Sequence, residues 1–462
     1  MLIGWSAADI TPDRPTNLRG QFHTRISQYV NDPLTATALA LEGEEGQAVL
    51  VSCDLVGAPG VLAQRLHEML RPRLPDLDVR KLVLNGTHTH TAPDITEGHY
   101  PPLGPEVMTP AEYADLFCAR VADAVVEAWE ARKPGGVSWA YGHAVVGHNR
   151  RASYLDGRSV MYGATEAPDF AGLEGYEDHG LDLLFTWDEA GALTGLIVNL
   201  ACPSQETEGV SYTSADFWHE TRVELRRRLG EGLFVLPQCS AAGDQSPHLL
   251  VHKQAEARML ELRGLTGREE IARRIGRGVE DVVDLAQRDI LTDPILRHAV
   301  ADIGLPIRRV TDEEHAQSQA RVAELEAQPP DPNDAFARSH HFIMLRRNKK
   351  VIARYEEQDA KPLFDMELHC LRIDDIAIAT NPFELFLDYG LRIKARSPAV
   401  QTFVVQIASA GPNSDGTYLP TARALAARSY GAEAVDNTVG PEGGQTLVEE
   451  TLRTLGTLWE GR

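Results

Sequence analysis

The sequence contains few cysteines. Only five occur among its 462 residues, and no two of them form a Cys-X-X-Cys pair: Cys53, Cys118, Cys202, Cys239 and Cys370. An odd number of widely spaced cysteines predicts neither a disulfide framework nor a four-cysteine zinc site. The pattern is typical of a reducing compartment, so we expect a cytoplasmic protein with free thiols.

Long apolar runs are also absent, since no segment of 18 apolar residues occurs and no membrane span is predicted. The first residues lack the basic segment and apolar core of a signal peptide, which again favours a cytoplasmic location. The formal net charge is -22. This balance argues against nucleic-acid or anionic-membrane partners, because both bind clustered Lys and Arg. We expect a small-molecule substrate as the partner, and a homo-oligomer stays possible.

Short apolar runs alternate with longer amphipathic segments, and this order predicts an α/β fold. The segment "LDLLFTWDEAGALTGLIVNL" predicts a hairpin. Strands are also predicted at "QAVLVSCDL", "KLVLNGT", "GVSWAYGHAVV", "GLFVLPQCS", "HCLRIDDIAIATNP" and "TFVVQIASA", and helices at 61–73, 110–132, 215–230, 385–397 and 441–458. Residues 254–327 are rich in Glu, Arg, Ala and Leu and are predicted to form a helical insertion. No linker divides the chain, so we expect a single catalytic unit over 1–462.

Two histidines follow the predicted strand "KLVLNG" in the stretch "NGTHTHTAPD". Side chains two residues apart in extended backbone share a face, and strand ends that open into loops often build ligand sites. His88 and His90 can therefore hold a divalent cation together, or one can bind metal while the other contacts substrate. The alternative is a pair of loop histidines that hydrogen-bond to nearby backbone groups.

Other stretches place polar residues at predicted strand ends or helix starts. "CSAAGDQSPH" supplies Asp244 and Ser246 as oxygen ligands or a nucleophile, or else as turn residues. Asp216 in "SADFWHETR" is placed to cap a helix, with His219 on the same face. Glu384 in "NPFELF" is either a ligand or a carboxylate that favours the helix N-terminus. The turn "GPNSDGTYLPT" contains Tyr418.

Together these stretches resemble the neutral ceramidases, zinc-dependent amidases that hydrolyse N-acyl sphingosine. The motifs that carry the resemblance occur in order along nearly the whole chain: "GWSAADITP", "NGTHTHTAP", "HNRRASY", "CSAAGDQSPH", "NPFELF" and "DGTYLPT". The resemblance implies an α/β catalytic domain with mixed β-sheets flanked by helices. It also implies that His88, Glu384 and Tyr418 bind zinc, and that His90 contacts the substrate or the developing oxyanion.

The same resemblance assigns Arg150 in "HNR" to assist His90, Ser246 to the family's active-site serine, and Asp244 to the support of that loop. The family's second zinc histidine lies in a His-Pro pair, where this sequence has Cys202-Pro203. A thiolate can bind zinc, so Cys202 is the expected fourth ligand. The alternatives are replacement by another residue, or the absence of the metal. The replacements considered are His219, Asp216 and His23.

The expected function is therefore a metal-dependent hydrolase, with zinc as cofactor, that cleaves an amide bond in a soluble polar substrate. Because the sequence ends at Arg462, we expect no counterpart of the additional C-terminal domain of true ceramidases, and membrane ceramide is not the expected substrate. Two alternatives stay open. The same fold can use Cys202 or Ser246 as a nucleophile, or cleave a sugar or ester linkage. A binding protein with a decayed metal site is the non-catalytic alternative.

Overall fold

The computed structural model describes residues 1–412 and 416–460. The strands are β1 Leu2–Asp9, β2 Thr35–Glu42, β3 Gln47–Cys53, β4 Leu82–Gly86, β5 Lys133–His143, β6 His148–Asn149, β7 Arg151–Tyr154, β8 Ser159–Met161, β9 Phe170–Leu173, β10 Gly180–Asp188, β11 Leu193–Leu200, β12 Phe234–Cys239, β13 Gln245–Ser246, β14 Leu296–Pro306, β15 Leu363–Ile373, β16 Ile376–Thr380, β17 Glu384–Leu385, β18 Gln401–Val405 and β19 Tyr418–Leu419. The helices are α1 Gly60–Leu70, α2 Pro110–Glu130, α3 Phe217–Leu229, α4 Lys253–Arg263, α5 Gly267–Ala286, α6 Asp312–Ala327, α7 Ala335–Glu357, α8 Leu387–Arg396, α9 Ala422–Ala427 and α10 Pro441–Trp459.

Three of the helices begin with the same local device, a threonine three residues before a glutamate. The threonine hydroxyl accepts the glutamate N–H, and the glutamate carboxylate accepts the threonine N–H: Thr109 and Glu112 at α2, Thr266 and Glu269 at α5, and Thr311 and Glu314 at α6. Each pair satisfies two backbone donors that would otherwise lack a partner at the helix start.

Two mixed sheets pack face to face. The larger has eight strands in the order β12-β11-β10-β5-β1-β2-β3-β4, and the smaller has four in the order β14-β15-β16-β18. One apolar cluster lies between them, with Leu50 and Ile197 from the larger sheet and Ile378 and Phe403 from the smaller. Helices cover both outer faces, because α1, α2, α3 and α5 contribute to clusters on the larger sheet and α8 and α10 to the cluster on the smaller. The α/β architecture expected from the sequence is confirmed.

One unit of structure occurs three times. An antiparallel hairpin is followed by a helix and then by a strand parallel to the second hairpin strand: β2-β3-α1-β4, β10-β11-α3-β12 and β15-β16-α8-β18. In such units the loops after parallel strands meet at one edge of the sheet. The backbone confirms this meeting, because Gly86 donates to the carbonyl of Ile407 and Gln406 donates to the carbonyl of Cys239. Segments that are distant in sequence therefore end side by side.

The predicted hairpin is present as β10 and β11, which pair antiparallel. The region predicted as a helical insertion, 254–327, holds parts of α4, all of α5 and α6, and the extended strand β14. Helix α5 packs on the larger sheet through Ile275 and Val279, and β14 forms an edge of the smaller sheet. Its status as an insertion stays a prediction. None of the described helices is both long enough and apolar enough to cross a membrane.

A buried ion pair joins α3 to the end of β3. Arg222 donates from one terminal nitrogen to Asp54 Oδ2 at 2.8 Å and from the other to Oδ1 at 3.0 Å. The Asp54 side chain is fully buried and that of Arg222 is 5% exposed. The same carboxylate accepts the backbone N–H of Thr35. The pair thus fixes the position of α3 against the strands that lead into the shared loop edge.

Removing one partner of this pair will leave a buried charge without its counter-ion. We expect Arg222→Ala to lower the free energy of unfolding by about 3–5 kcal/mol. The matched control is Arg227→Ala on the same helix, because the Arg227 side chain is 62% exposed and pairs with Glu224 outside the core. That change is expected to cost far less, because solvent screens an exposed ion pair. Urea unfolding followed by circular dichroism measures both values, and equal losses in the two variants would contradict the assignment.

Candidate functional site

A cavity of about 380 Å³ opens at the shared loop edge of the two sheets. Its volume is in the range of small-molecule sites, roughly 300–1,000 Å³. Four of the predicted site residues line it: His88, His90, Glu384 and Tyr418. His88 and His90 follow β4, Glu384 lies in β17 and Tyr418 lies in β19, so the fold brings together residues that are distant in sequence.

His88 lies two residues beyond β4, with a left-handed backbone (φ 67°). Its N–H donates to the carbonyl of Leu55, and its Nδ1 lies 2.7 Å from the carbonyl oxygen of Val56. A carbonyl only accepts, so Nδ1 carries the hydrogen. The other ring nitrogen, Nε2, faces Glu384, whose Oε2 lies 3.4 Å away. This is the orientation that a metal-ligating histidine needs.

Glu384 and Tyr418 are register partners in the short parallel pair of β17 and β19. Gly243 packs against this pair, and a Cβ there would lie 2.3 Å from the carbonyl oxygen of Glu384. Burial alone would raise the pKa of Glu384, but His88, Tyr418 and Arg150 together lower it to about 2. Glu384 is therefore an anion at neutral pH, held beside an imidazole and a phenol.

His90 is held by two further side chains. Its Nε2 lies 3.4 Å from Nε2 of His88 and 2.7 Å from Nε2 of Gln205, and its Nδ1 lies 3.4 Å from Oε2 of Glu208. Burial lowers the pKa of His90, and His88 lowers it further, while Glu208 opposes both. His90 is therefore neutral near pH 7.

Arg150 explains how Gln205 is oriented. The guanidinium donates to the Tyr418 hydroxyl at 3.0 Å, to the carbonyl of Gly243 at 2.9 Å and to Oε1 of Gln205 at 3.4 Å. Since Oε1 of Gln205 accepts from arginine, its amide nitrogen donates to His90 Nε2. The neutral His90 ring then carries its hydrogen on Nδ1, facing Glu208. Arg150 thus joins Tyr418 and His90 in one hydrogen-bonded network.

Ser246 and Asp244 lie in the adjoining loop. Ser246 is fully buried in β13, and its Oγ accepts from the Tyr162 hydroxyl at 2.9 Å and from the N–H of His248 at 3.1 Å. The Asp244 carboxylate accepts from the N–H of Leu387 at 2.9 Å and from Asn149 at 3.1 Å. Asp244 therefore ties this loop to the start of α8. Neither side chain lines the cavity.

Cys202 lies apart from the cavity. It belongs to the apolar cluster under α3 and α5, and its Sγ lies 3.5 Å from the carbonyl oxygen of Pro203. Burial raises the pKa of Cys202 well above its ordinary value, so the side chain is a thiol and not a thiolate. Nucleophilic attack by Cys202 gains no support from this environment, because the thiolate is the reactive form.

The three residues considered as replacements also have other contacts. The Asp216 carboxylate accepts from the N–H groups of Phe217, Glu206 and Thr207. His219 lies in the first turn of α3, and the ring of His23 packs on that of Phe336 at 4.7 Å. Within residues 1–412 and 416–460, no three His, Cys, Asp or Glu side chains form a group that could hold a metal ion. A ligand set that includes Tyr418 needs only two residues of those types.

The structure therefore brings four predicted residues together in the cavity, His88, His90, Glu384 and Tyr418. Arg150 does not line the cavity but donates to the Tyr418 hydroxyl behind it. Cys202, Ser246 and Asp244 also lie outside the cavity lining. Part of the predicted turn before Tyr418, residues 413–415, lies outside the described residues. Glu208, which faces His90, was not predicted as a site residue, although its position in the acidic loop "QETEG" was a usable signal. Tyr430 was also missed; its ring lies 5.2 Å from that of Tyr418.

This chain is similar to known proteins in its fold. No protein-family description matches the sequence, and no curated protein is significantly similar to it. The structure is similar to that of neutral ceramidase from Pseudomonas aeruginosa, with a TM-score of 0.72 and 17% sequence identity over 99% of this chain and 74% of that one. A ceramidase complexed with C2 is similar with a TM-score of 0.68 and 16% identity, over 99% and 75% of the two chains.

The fold is neutral-ceramidase-like. The resemblance stated from the sequence motifs is confirmed at this level, by structures that cover nearly the whole chain at low identity. Mixed sheets flanked by helices, as the resemblance implied, are present in the neutral-ceramidase-like arrangement.

Gly20 sets the position of the His90 ring. Its φ is 113°, and a Cβ built there would lie 2.4 Å from Cγ of His90. We expect Gly20→Ala to displace the ring and to lower the free energy of unfolding by about 2–4 kcal/mol, from backbone strain plus overpacking. The control is Gly157→Ala, because Gly157 also has a positive φ (86°) but no atom within 4 Å of the added Cβ. That variant should lose only about 1 kcal/mol.

The two variants are compared by urea unfolding, and the imidazole proton resonances of His90 report the displacement directly. Equal losses of stability with an unshifted His90 signal would show that the contact does not constrain the ring.

Glu206 makes stability depend on pH. Burial raises its pKa to about 7, although His248 opposes the shift. The unfolded carboxyl releases its proton near pH 4.5 while the folded one keeps it, so stability falls as pH rises from about 4.5 to 7. We therefore expect Glu206→Gln to stabilise the protein by about 1–2 kcal/mol at pH 8 and by almost nothing at pH 4.5.

Glu208→Gln is the opposite control. Burial raises the pKa of Glu208, but its contact with His90 outweighs that effect, and the net shift is downward. Ionised Glu208 therefore stabilises the folded state above its unfolded pKa, and removal of its charge is expected to destabilise at pH 8. Urea unfolding at both pH values checks the pair, and the same sign for both variants at pH 8 would contradict these assignments.

Proposed function

We propose that this chain is a hydrolase that cleaves an amide bond in a small polar substrate with the help of a zinc ion. The observation that carries the proposal is the convergence of His88, Glu384 and Tyr418 in one cavity of a neutral-ceramidase-like fold. The printed names of the similar structures, ceramidases, supply the reaction class.

The donor chemistry of these three residues fits zinc. His88 presents Nε2 because Nδ1 is bound to the Val56 carbonyl, and Glu384 supplies an anionic oxygen. Ligand atoms about 2.0–2.1 Å from a tetrahedral zinc lie about 3.3–3.4 Å from one another, and the Nε2–Oε2 separation here is 3.4 Å. Catalytic zinc sites typically use three protein ligands and keep one position open. His88, Glu384 and Tyr418 would be those three.

Zinc in such a site supplies Lewis-acid polarisation of the scissile carbonyl and water acidic enough to attack near neutral pH. The chain's own residues supply the rest. Arg150, which donates to the Gly243 carbonyl and to the Tyr418 hydroxyl, would act through Tyr418 to stabilise negative charge that develops on the carbonyl oxygen. Neutral His90 can accept a proton at Nε2 when Gln205 yields that position, and Glu208 would stabilise the resulting imidazolium.

A small polar substrate suits the lining of the cavity. Charged side chains including Arg19, Asp94, Arg346 and Asp436 line it, and its volume is about 380 Å³. Long hydrocarbon chains would place apolar surface against these charges, at a cost in their solvation.

Metal analysis of the purified protein tests the ligand set. We expect about one zinc ion per wild-type chain, and loss of most of that zinc in His88→Asn and in Glu384→Gln. Chelation should abolish hydrolysis of N-acyl amides, and added zinc should restore it. A metal-free protein that hydrolyses amides at an undiminished rate would overturn the role of zinc.

Cys202→Ser separates two ligand sets in the same experiment. Retention of zinc supports the set of three, because Cys202 packs in the apolar cluster. Loss of zinc without loss of folding supports the four-ligand set predicted from the sequence. Circular dichroism of each variant shows that folding is preserved.

A further inference from the structure

The cavity has a cationic wall that the proposed chemistry does not use. Four basic side chains line it, Arg19, Arg346, Arg347 and Lys350, and the last three belong to α7. The chain as a whole carries a net charge of -22. Basic groups gathered in the cavity of so acidic a protein indicate that the ligand is an anion. Solubility alone would favour acidic groups there too.

Two of these cations are already matched by acidic partners. Arg347 forms an ion pair with the buried carboxylate of Asp436. Arg19 lies 3.6 Å from Asp94, and its NH2 lies 3.1 Å from Nε2 of His99. His99 in turn faces Asp94 through Nδ1 at 3.3 Å. These charges are balanced without any ligand.

Arg346 differs from them. Its NH1 donates to the carbonyl of Gly98 at 3.0 Å, while its Nε is buried and has no hydrogen-bond partner. In the part of the chain that the structure describes, no carboxylate lies within ion-pair distance of this guanidinium. Burial lowers the pKa of Arg346, and Arg19 lowers it further, against the opposing charge of Asp94. Arginine stays protonated in proteins, so a partly buried cation faces the cavity without an anion.

We propose that Arg346 binds a carboxylate of the substrate, so that the substrate class is an amide bearing a free carboxylate, such as an N-acyl amino acid. This inference rests on the proposed amide hydrolysis and specifies its substrate. The guanidinium offers hydrogen-bond donors in a geometry that matches a carboxylate. Apolar side chains that also line the cavity, Leu55, Ile95, Ile343 and Ile407, suit a short hydrocarbon segment in the same molecule.

The test compares two probes that differ in one group. N-hexanoylglycine carries the carboxylate, and N-hexanoylglycinamide is its uncharged counterpart. Isothermal titration into the protein as purified is expected to show at least about tenfold tighter binding of the carboxylate, the effect of one charge-assisted contact. Raising the salt concentration should weaken the binding of N-hexanoylglycine and leave the binding of N-hexanoylglycinamide unchanged.

Arg346→Gln should abolish the preference, and Arg346→Lys should retain part of it. Lys349→Gln is the matched control, because Lys349 lies on the same helix, pairs with Glu326 at the surface and does not line the cavity. It should keep the wild-type preference. The thermal unfolding of each variant establishes that it is folded, and the salt dependence of the wild type tests the charge independently of any variant.

Equal affinity of the wild type for the two probes, no binding of the carboxylate probe, or an undiminished preference in Arg346→Gln would overturn the inference. Hydrolysis of the same two probes separates it from the proposed function. If both probes are cleaved at similar rates and bind with equal affinity, the proposed hydrolase activity stands and the proposed carboxylate site is excluded. Preferential binding of the carboxylate without cleavage of either amide would remove the hydrolase instead.

Discussion

The buried ion pair between Asp54 and Arg222 holds together the parts on which the candidate site depends. Asp54 directly follows β3 and lies two residues before Val56, whose carbonyl orients the His88 ring. The hydroxyl of Thr87, the residue before His88, also lies 3.4 Å from the Asp54 carboxylate. Arg222 belongs to α3, whose first residue is capped by Asp216, and Asp216 also binds the loop that carries Gln205 and Glu208. One buried pair therefore connects the element that presents His88 with the loop that holds His90.

This dependence follows from the topology. Three hairpin–helix–strand units end at one edge, and each contributes one loop to the cavity or its surroundings. Loops alone seldom position side chains well, but these loops leave strands whose register is fixed by sheets packed on both faces. Strand pairing also positions residues outside the main sheets. The parallel pair of β17 and β19 aligns Glu384 with Tyr418, which are too far apart in sequence for local structure to bring together.

Much of the fold could be predicted from the sequence because its periodic elements are long. The helices expected at 110–132 and 441–458 are observed as Pro110–Glu130 and Pro441–Trp459. Strand β2 was missed because "TATALALE" is buried along most of its length and lacks a marked alternation of polar and apolar residues. Helix α7 was missed because basic residues and histidines interrupt its apolar face, and that irregularity is what brings Arg346 to the cavity.

The site was less accessible to sequence reasoning. His88 and His90 line the cavity as residues that follow a strand end, since a chain that leaves a sheet carries its polar residues to the sheet's edge. Their roles stay a prediction. Nothing local indicated that Cys202, which also follows a strand, packs in an apolar cluster, because that depends on the helices α3 and α5 that cover it. Long-range pairing decides such cases: Gln205 contacts His90 across 115 positions of sequence, and Arg150 contacts Tyr418 across 268.

The left-handed backbone of His88 has an evolutionary consequence. A non-glycine residue in this conformation costs about 1–2 kcal/mol, and glycine or asparagine would occupy it with less strain. Mutational drift without selection on the site would therefore tend to replace this histidine and gain stability in doing so. The backbone therefore makes position 88 a sensitive indicator among related sequences, because loss of function would be recorded there early, as a substitution that improves folding.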